Sequence, residues 1–393
     1  MTKSIAVIGT RGYPSYYGGF ETLVRWLAPY LADSEWAVSV YGRRSAIKVS
    51  DTGADPRIAS IMTPGLDTKS VSTLSYGFVS VVHAMVRKPD VALIMNVANG
   101  YWIPLLKLRS IPTIVNVDGI EWEREKWNRI ARIVFKIGAK LTARFANEIV
   151  CDARAIANRW DEEFNRRSTY IPYGGTSFKS IDPPTGLKSR SYVLIVARFV
   201  PENTIEQFLD AIPRITEVAP VVIVGSSGYG GPIDERVHRI AESNSNVEWY
   251  GHISNDDLLF GLWAHAGVYF HGHSVGGTNP ALVQAMACAA PILARDTVYN
   301  REVLGEHGEF VEPSADRIAA RVLGIMADHD GQQSMADDAY SRAQEYFTWE
   351  RICSQYEELC AQLAGHDKRA RPADTEQNTN QLGHAPTIRG TSR

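Results

Sequence analysis

Cysteine is scarce: Cys151, Cys288, Cys353 and Cys360 are the four in 393 residues. None forms a CxxC pair and no Cys/His group has zinc spacing, so neither a disulfide scaffold nor a zinc site is written into the chain. Four thiols in so long a chain read as free thiols in a reducing compartment. Charge of one sign is missing too. Lys+Arg is 41 against 44 Asp+Glu, a net charge of −3, so there is no global basic field of the kind that binds nucleic acid. No apolar run reaches the ~18 residues of a spanning helix; the nearest, residues 71–86, is broken by Ser72, Ser75, Ser80 and His83. The run at residues 5–9 is strand-sized, which reads as a strand and not a secretory leader. The expectation is a cytoplasmic chain that touches a membrane, if at all, peripherally on its inner face. A GxGxxG fingerprint and a P-loop lysine are absent as well, which argues against a nicotinamide cofactor or a kinase-like P-loop.

What is present is an ordinary globular balance, 45% hydrophobic and 22% charged, with length for two or three domains at about 150 residues each. Continuous apolar runs at residues 5–9, 37–41, 91–96 and 113–117 have the pattern of strands buried on both faces. Residues 21–31 have helical spacing, with Leu23, Leu27 and Leu31 on one face. The series restarts with strands at 192–197, 221–224, 268–270 and 291–294 and helices at 204–215 and 280–288. Residues 176–191, rich in Ser, Pro, Gly and Lys, read as a linker. This predicts an α/β protein of two doubly wound, Rossmann-like domains facing a cleft, residues 1–175 and 190–348. An amphipathic helix follows at 349–363. The polar tail, 364–393, lacks the apolar content to offset its ordering entropy and reads as disordered.

Chemistry-bearing residues gather at strand ends. The first strand runs into Gly9-Thr10-Arg11-Gly12-Tyr13-Pro14, and Gly18-Gly19-Phe20-Glu21 opens a helix. Such glycines admit close backbone approach and point free N–H groups at an anion; a tight βα turn without a ligand is the alternative. Asp118 and Glu121, in Asn116-Val117-Asp118-Gly119-Ile120-Glu121-Trp122, suit acid/base work or sugar hydroxyls, or Asp118 caps the next segment. Arg198, after a strand, presents a planar fork of donors suited to a phosphate. His271-Gly-His273-Ser-Val-Gly276-Gly277-Thr278-Asn279-Pro280 is a strand end, a loop and a helix start whose amides and dipole favour a diphosphate. Thr278, Asn279 and, one turn on, Gln284 are placed to reach the same ligand. Between residues 122 and 145, seven basic residues, Arg129, Arg132, Lys136 and Lys140 among them, meet two acids, a local charge of +5. Ile130, Val134, Ile137 and Leu141 recur there at helical spacing beside Trp122 and Trp127. That fits an anionic membrane surface, or a core-packed helix with a solvated basic face.

With these motifs assembled, the sequence resembles a retaining glycosyltransferase of family 4 with the two-domain GT-B architecture, over about residues 3–363. The first half is similar to a subgroup reading GTRGYP…YGGFET and VDGIEW.R.KW, here Gly9 to Pro14, Tyr17 to Thr22 and Val117 to Trp127. The second half matches R..PEN, GHI and H.HS.GGTNP…AMA at Arg198 to Asn203, Gly251 to Ile253 and His271 to Ala287. That subgroup resembles bacterial rhamnosyltransferases of surface polysaccharide synthesis. The resemblance implies no metal or other cofactor. It implies a nucleotide-sugar donor (dTDP-, UDP- or GDP-linked) on the second domain, a glycan or polyprenyl-diphosphate-linked acceptor on the first, and a closing helix that crosses back to the first domain. It implies that Arg198 contacts phosphate, that Gly18 and Gly19 lie near the donor phosphates, that Asp118 occupies the catalytic loop, and that Arg11, Glu121 and Trp122 are acceptor-side. Gly276, Gly277, Thr278 and Asn279 would hold the donor. Two departures stand out. Gly276 and Gln284 replace a pair of glutamates eight positions apart, and Asn203 replaces a lysine. Glutamine still hydrogen-bonds a hydroxyl without charge, which suits a deoxyribose nucleotide. The rival expectations are a catalytically silent nucleotide-sugar-binding paralogue or scaffold and, further off, a sugar-nucleotide epimerase.

Overall fold

The computed structural model describes residues 2–15, 18–43, 54–66, 72–124, 127–178, 180–228 and 230–365. The expected tail, and Tyr17 and Lys126 from the motifs above, lie outside these residues.

Seven strands form the first sheet: β1 (Ser4–Ile8), β2 (Ala37–Arg43), β3 (Ala59–Thr63), β4 (Val91–Met95), β5 (Thr113–Asn116), β6 (Glu148–Cys151) and β7 (Thr169–Tyr170). Six form the second: β8 (Val193–Val196), β9 (Val221–Val224), β10 (Val247–Gly251), β11 (Val268–His271), β12 (Ile292–Arg295) and β13 (Glu309–Val311). The orders are β3-β2-β1-β4-β5-β6-β7 and β10-β9-β8-β11-β12-β13, and every pairing is parallel. Both sheets are therefore doubly wound, with the strand order reversing beside β1 in one and β8 in the other. The central strands are almost wholly buried; all five residues of β4 are, and β1 and β8 each have one partly exposed end residue. Helices cover both faces, so each strand sheds water on both sides and reads as an unbroken apolar run. The strands that the sequence pattern misses are mostly edges: β3, β7, β10 and β13 carry partly exposed residues. The inner β6, only four residues long, opens on Glu148.

The last helix, Trp349–Gly365, crosses back to the first sheet. Its buried Trp349, Ile352, Cys353, Tyr356, Leu359 and Cys360 join one core cluster with Ile5, Val7, Leu27 and Val40. At about 1.5–3 kcal/mol for each large apolar side chain taken from water, this face holds the chain's end onto its first domain. Tyr356 Oη accepts a 2.7 Å hydrogen bond from Asn116 Nδ2, at the end of β5. Residues 176–191, read as a linker, begin with a fixed point: Gly175 bridges to Thr348.

The helix Arg129–Phe145 packs through its small residues. Its buried residues are Gly138, Ala139 and Thr142. A Cβ on Gly138 would lie 2.5 Å from the Val97 carbonyl oxygen, and one on Gly100 would lie 2.2 Å from the Gly138 carbonyl oxygen. Small residues let two backbones touch, and the isoleucines are left outside: Ile130, Ile133 and Ile137 are 74%, 59% and 42% exposed. No helix among the described residues is long and apolar enough to cross a membrane.

Candidate functional site between the two sheets

In doubly wound sheets, ligands sit beyond the carboxyl ends of the strands where the order reverses. In the second sheet that point lies between β8 and β11. Arg198 follows β8, and the loop 272–279 follows β11. The Arg198 side chain is exposed, and no carboxylate pairs with it among the described residues. Burial, with the Arg198 charge second, presses the His273 imidazole down to about 3, so that ring is neutral. His273 stacks on the buried His271 with centroids 4.4 Å apart, and Tyr269 Oη lies 2.9 Å from His271 Nδ1. The turn Pro201–Asn203 is bolted to the same loop: Ser274 N and Oγ donate to the Glu202 carbonyl at 2.9 and 2.8 Å, and Thr204 Oγ1 donates to the Gly272 carbonyl at 2.5 Å.

The first sheet contributes the facing wall. After β5, Asp118 sits at φ 56°, a left-handed conformation that aspartate tolerates better than most residues. Its amide donates to Asn116 Oδ1 at 3.1 Å. Its carboxylate, about a quarter exposed, lies 3.6 Å from Arg124 Nη2. The residue that opens the following turn Glu121–Glu123 is Ile120, so Asp118 does not cap it. Arg124 also pairs with Glu121 Oε1 at 2.9 Å, and Trp127 Nε1 donates to Glu121 Oε2 at 2.9 Å. Both Glu121 oxygens are thus engaged and the residue is buried, which makes it a clasp for the loop and not a free acid. Trp122 is buried as well, packed edge-on against Trp160 and Phe164. Arg11 donates its amide to Glu21 Oε1 at 3.1 Å, holding the first glycine turn.

Glycines bring the two walls together. A Cβ on Gly19 would meet Pro280 Cγ at 3.6 Å, and one on Gly119 would meet Gly276 Cα at 3.3 Å. Gly18 precedes the helix Gly19–Asp33 in extended backbone. Gly276 takes φ 103°, and Arg124 Nη2 lies 3.9 Å from where its Cβ would be. Gly277 is pressed against Asp152, at the end of β6: a Cβ there would fall 1.9 Å from Asp152 Oδ1. Sequence reasoning missed Asp152 because β6 was not read as a strand. A strand-end aspartate, like Asp118, was the signal available.

Several residues expected to hold a ligand hold the fold in this structure. Thr278 donates both its amide and its hydroxyl to the Asp152 carbonyl, joining the domains. Asn279 caps the helix Pro280–Ala287 by accepting from Ala281 N at 2.9 Å. Gln284 accepts from Thr176 N at 3.0 Å and donates to Thr176 O at 2.7 Å, clasping the linker. Asn203 donates to the Arg198 carbonyl at 2.9 Å. Each is close to the loop, and each has its amide or hydroxyl engaged by the main chain. On the basic helix, Lys136 pairs with Glu163 and lies over the Trp122 ring at 5.3 Å, while Arg132 Nε donates to the Trp127 carbonyl at 3.0 Å. Arg129 and Lys140 remain exposed.

Two doubly wound domains with a cleft at their strand ends and a terminal helix crossing back define the GT-B architecture. Residues 190–328 match the family model for glycosyl transferases group 1, and residues 2–176 match a domain of unknown function, DUF1972. Over 195 residues the chain is 24% identical to the O-antigen chain mannosyltransferase B of Escherichia coli, spanning 48% of this chain and 50% of that protein. Over 201 residues it is 27% identical to the MMP alpha-(1->4)-mannosyltransferase of Mycolicibacterium hassiacum, 48% of each. The chain thus spans about half the length of the curated relatives it matches. Among solved structures it resembles sucrose-phosphate synthase from Thermosynechococcus elongatus, with TM-score 0.75 and 20% identity over 92% of this chain and 99% of that one. It also resembles Anabaena HepE in complex with UDP-glucose, with TM-score 0.72 and 15% identity over 91% and 99%. At those identities the likeness is one of fold.

Proposed function

We propose that the chain is a retaining, metal-independent glycosyltransferase that moves a sugar from a nucleotide donor to a growing cell-surface glycan. The observation that carries this reading is the pairing, at the switch point of the second sheet, of an exposed Arg198 with the loop 272–279 and the start of the helix Pro280–Ala287. A fixed cation and helix-terminus amides aimed at a departing diphosphate supply the electrostatic stabilisation that dominates such transfers. Arg198 meets the developing negative charge, and the neutral His273 beside it adds polar ring atoms without competing charge. Asp118, across the cleft, is the carboxylate left facing the acceptor. Mannose suits the named relatives and rhamnose the subgroup motifs, so GDP-mannose and dTDP-rhamnose are the first donors to try, with UDP-glucose third. The test is nucleotide release and glycan extension by the purified chain in EDTA, with the product's anomeric configuration read by NMR. Turnover of one donor with retention is expected; no turnover of any donor with any glycan acceptor refutes the reading.

The acceptor in this proposal is lipid-linked and arrives at the first domain. The support is the exposed stripe Ile130, Ile133 and Ile137, flanked by Arg129, Lys140 and Arg144, an apolar seam with a basic rim suited to an anionic bilayer. Binding to vesicles with phosphatidylglycerol should exceed binding to phosphatidylcholine vesicles and weaken in Ile133→Ser/Lys140→Glu. Equal binding by that variant removes the membrane role. A second reading, a silent nucleotide-sugar binder, is favoured by the engagement of Gln284 and Asn203 in the fold, and measurable turnover rejects it.

A further inference from the structure

Asp152 is a buried acid that the fold does not use. Its side chain belongs to a residue only 1% exposed, and neither carboxyl oxygen has a hydrogen-bond partner among the described residues. Leaving such a group unpaired is costly, and more so when it is charged. It is aimed across the domain boundary, against Gly277, where any side chain would collide with it. Its own carbonyl is already taken by Thr278, so the carboxyl is not needed to fasten the loop. The groups around it are Asp118 and Arg124 on the loop after β5, Glu302 from the second domain, Tyr170, Tyr173, Tyr299, and Tyr356 on the crossing helix. Arg124 is already shared by Glu121 and Asp118. Burial, with Asp118 next, raises the Asp152 carboxyl well above the ordinary carboxylate range. A neutral acid both donates and accepts hydrogen bonds, the two-way chemistry that a ring bearing several hydroxyls answers.

We propose that Asp152 is a sugar-binding residue: its carboxyl, reaching into the Gly276–Gly277 loop from the opposite domain, hydrogen-bonds hydroxyls of the sugar being transferred. This rests on the glycosyl-transfer reading and assigns it a specificity group from the first domain. Gly277 has no side chain because that carboxyl must pass.

The test compares GDP-mannose, UDP-glucose and dTDP-rhamnose with GDP, UDP and dTDP as ligands for the wild-type chain, Asp152→Ala and Asp152→Asn. Asp152→Ala should weaken the best sugar nucleotide about tenfold or more while leaving its free nucleoside diphosphate unchanged. A loss of one hydrogen-bonded partner has that size. Equal weakening of both ligands, or of neither, overturns the assignment. If the wild-type chain binds none of the six, the glycosyl-transfer reading falls and the sugar role falls with it. If the wild type binds and Asp152→Ala binds equally, only the Asp152 assignment falls. Stability separates binding from a structural role. An acid whose folded-state proton affinity is raised stabilises the fold at low pH and loses that contribution as pH rises from the ordinary carboxylate range. Asp152→Asn should therefore melt higher than wild type at pH 8. A lower melting temperature for Asp152→Asn would mark the carboxyl as a structural contact and refute the proposal.

Discussion

Removing one oxygen from Tyr356 should loosen the whole first domain. Tyr356 and Asn116 are 0% and 1% exposed, and their hydrogen bond spans 2.7 Å. In Tyr356→Phe the ring stays, so the apolar burial of the crossing helix is unchanged. What is lost is one hydrogen bond, and Asn116 Nδ2 is left as a buried donor with no route to water. The cost is about 1–3 kcal/mol. The other end of the same amide, Oδ1, holds the Asp118 amide at 3.1 Å. An Asn116 freed to rotate therefore also loosens the left-handed turn at Asp118. Urea unfolding followed by far-UV circular dichroism should show a lower midpoint with an unchanged slope, the mark of altered stability and not altered compactness. Asn116→Ala/Tyr356→Phe should be no worse than Asn116→Ala alone, because the second change then removes a bond already gone. A Tyr356→Phe loss below about 0.5 kcal/mol, or strictly additive losses in the double variant, would refute the reasoning, since a satisfied buried amide cannot lose its partner so cheaply.

Arg198→Ala should lower kcat/KM by about 10²–10³, the size of losing one preorganised group at a developing oxyanion; a change below threefold in donor turnover would remove Arg198 from the site. Gly138→Leu should destabilise by about 1–3 kcal/mol or more, because its Cβ alone meets the Val97 carbonyl oxygen at 2.5 Å; an unchanged melting temperature would mean that the helix Arg129–Phe145 does not pack there. His273 titrates near 3 in the fold against 6.5 for the free side chain. The unfolded chain then binds more protons between those values, so stability falls as pH drops from about 6.5 toward 3. His273→Asn should show a shallower fall in acid unfolding, and an identical pH profile would contradict the burial argument.

Much of the fold is legible because burial on two faces demands apolar runs. β1, β4, β5, β8 and β9 announce themselves; β3, β10 and β13, at the sheet edges, do not, since half-wet strands tolerate polar residues. At the site, the glycines read from sequence as room for an anion, whereas Gly19, Gly119, Gly276 and Gly277 lie where the two walls of the fold meet. Thr278, Asn279 and Gln284 read as ligand groups from their type and their place after a strand end, and neither reveals a competing main-chain partner. The basic helix reads from sequence as Ile130, Val134, Ile137 and Leu141 at helical spacing beside Trp122 and Trp127. In the fold Trp122 goes inward under Lys136, Gly138 lets the helix approach Val97 closely, and Ile130, Ile133 and Ile137 lie outward.

By itself the sequence determines two parallel sheets, their doubly wound rhythm, the glycine turns at the strand ends and the amphipathic closing helix. These follow from local period and from what water excludes, and neighbours in the chain suffice to state them. Only the tertiary structure decides which polar groups are left over to act. Thr278 meets Asp152 across 126 residues, Gln284 meets Thr176 across 108, and Asn116 meets Tyr356 across 240. A hydrogen bond is satisfied by whichever partner folding delivers, and over such separations the delivery is made by sheet order and domain packing. The same packing leaves Arg198 exposed at a switch point and the Asp152 carboxyl buried against Gly277 without a hydrogen-bond partner among the described residues.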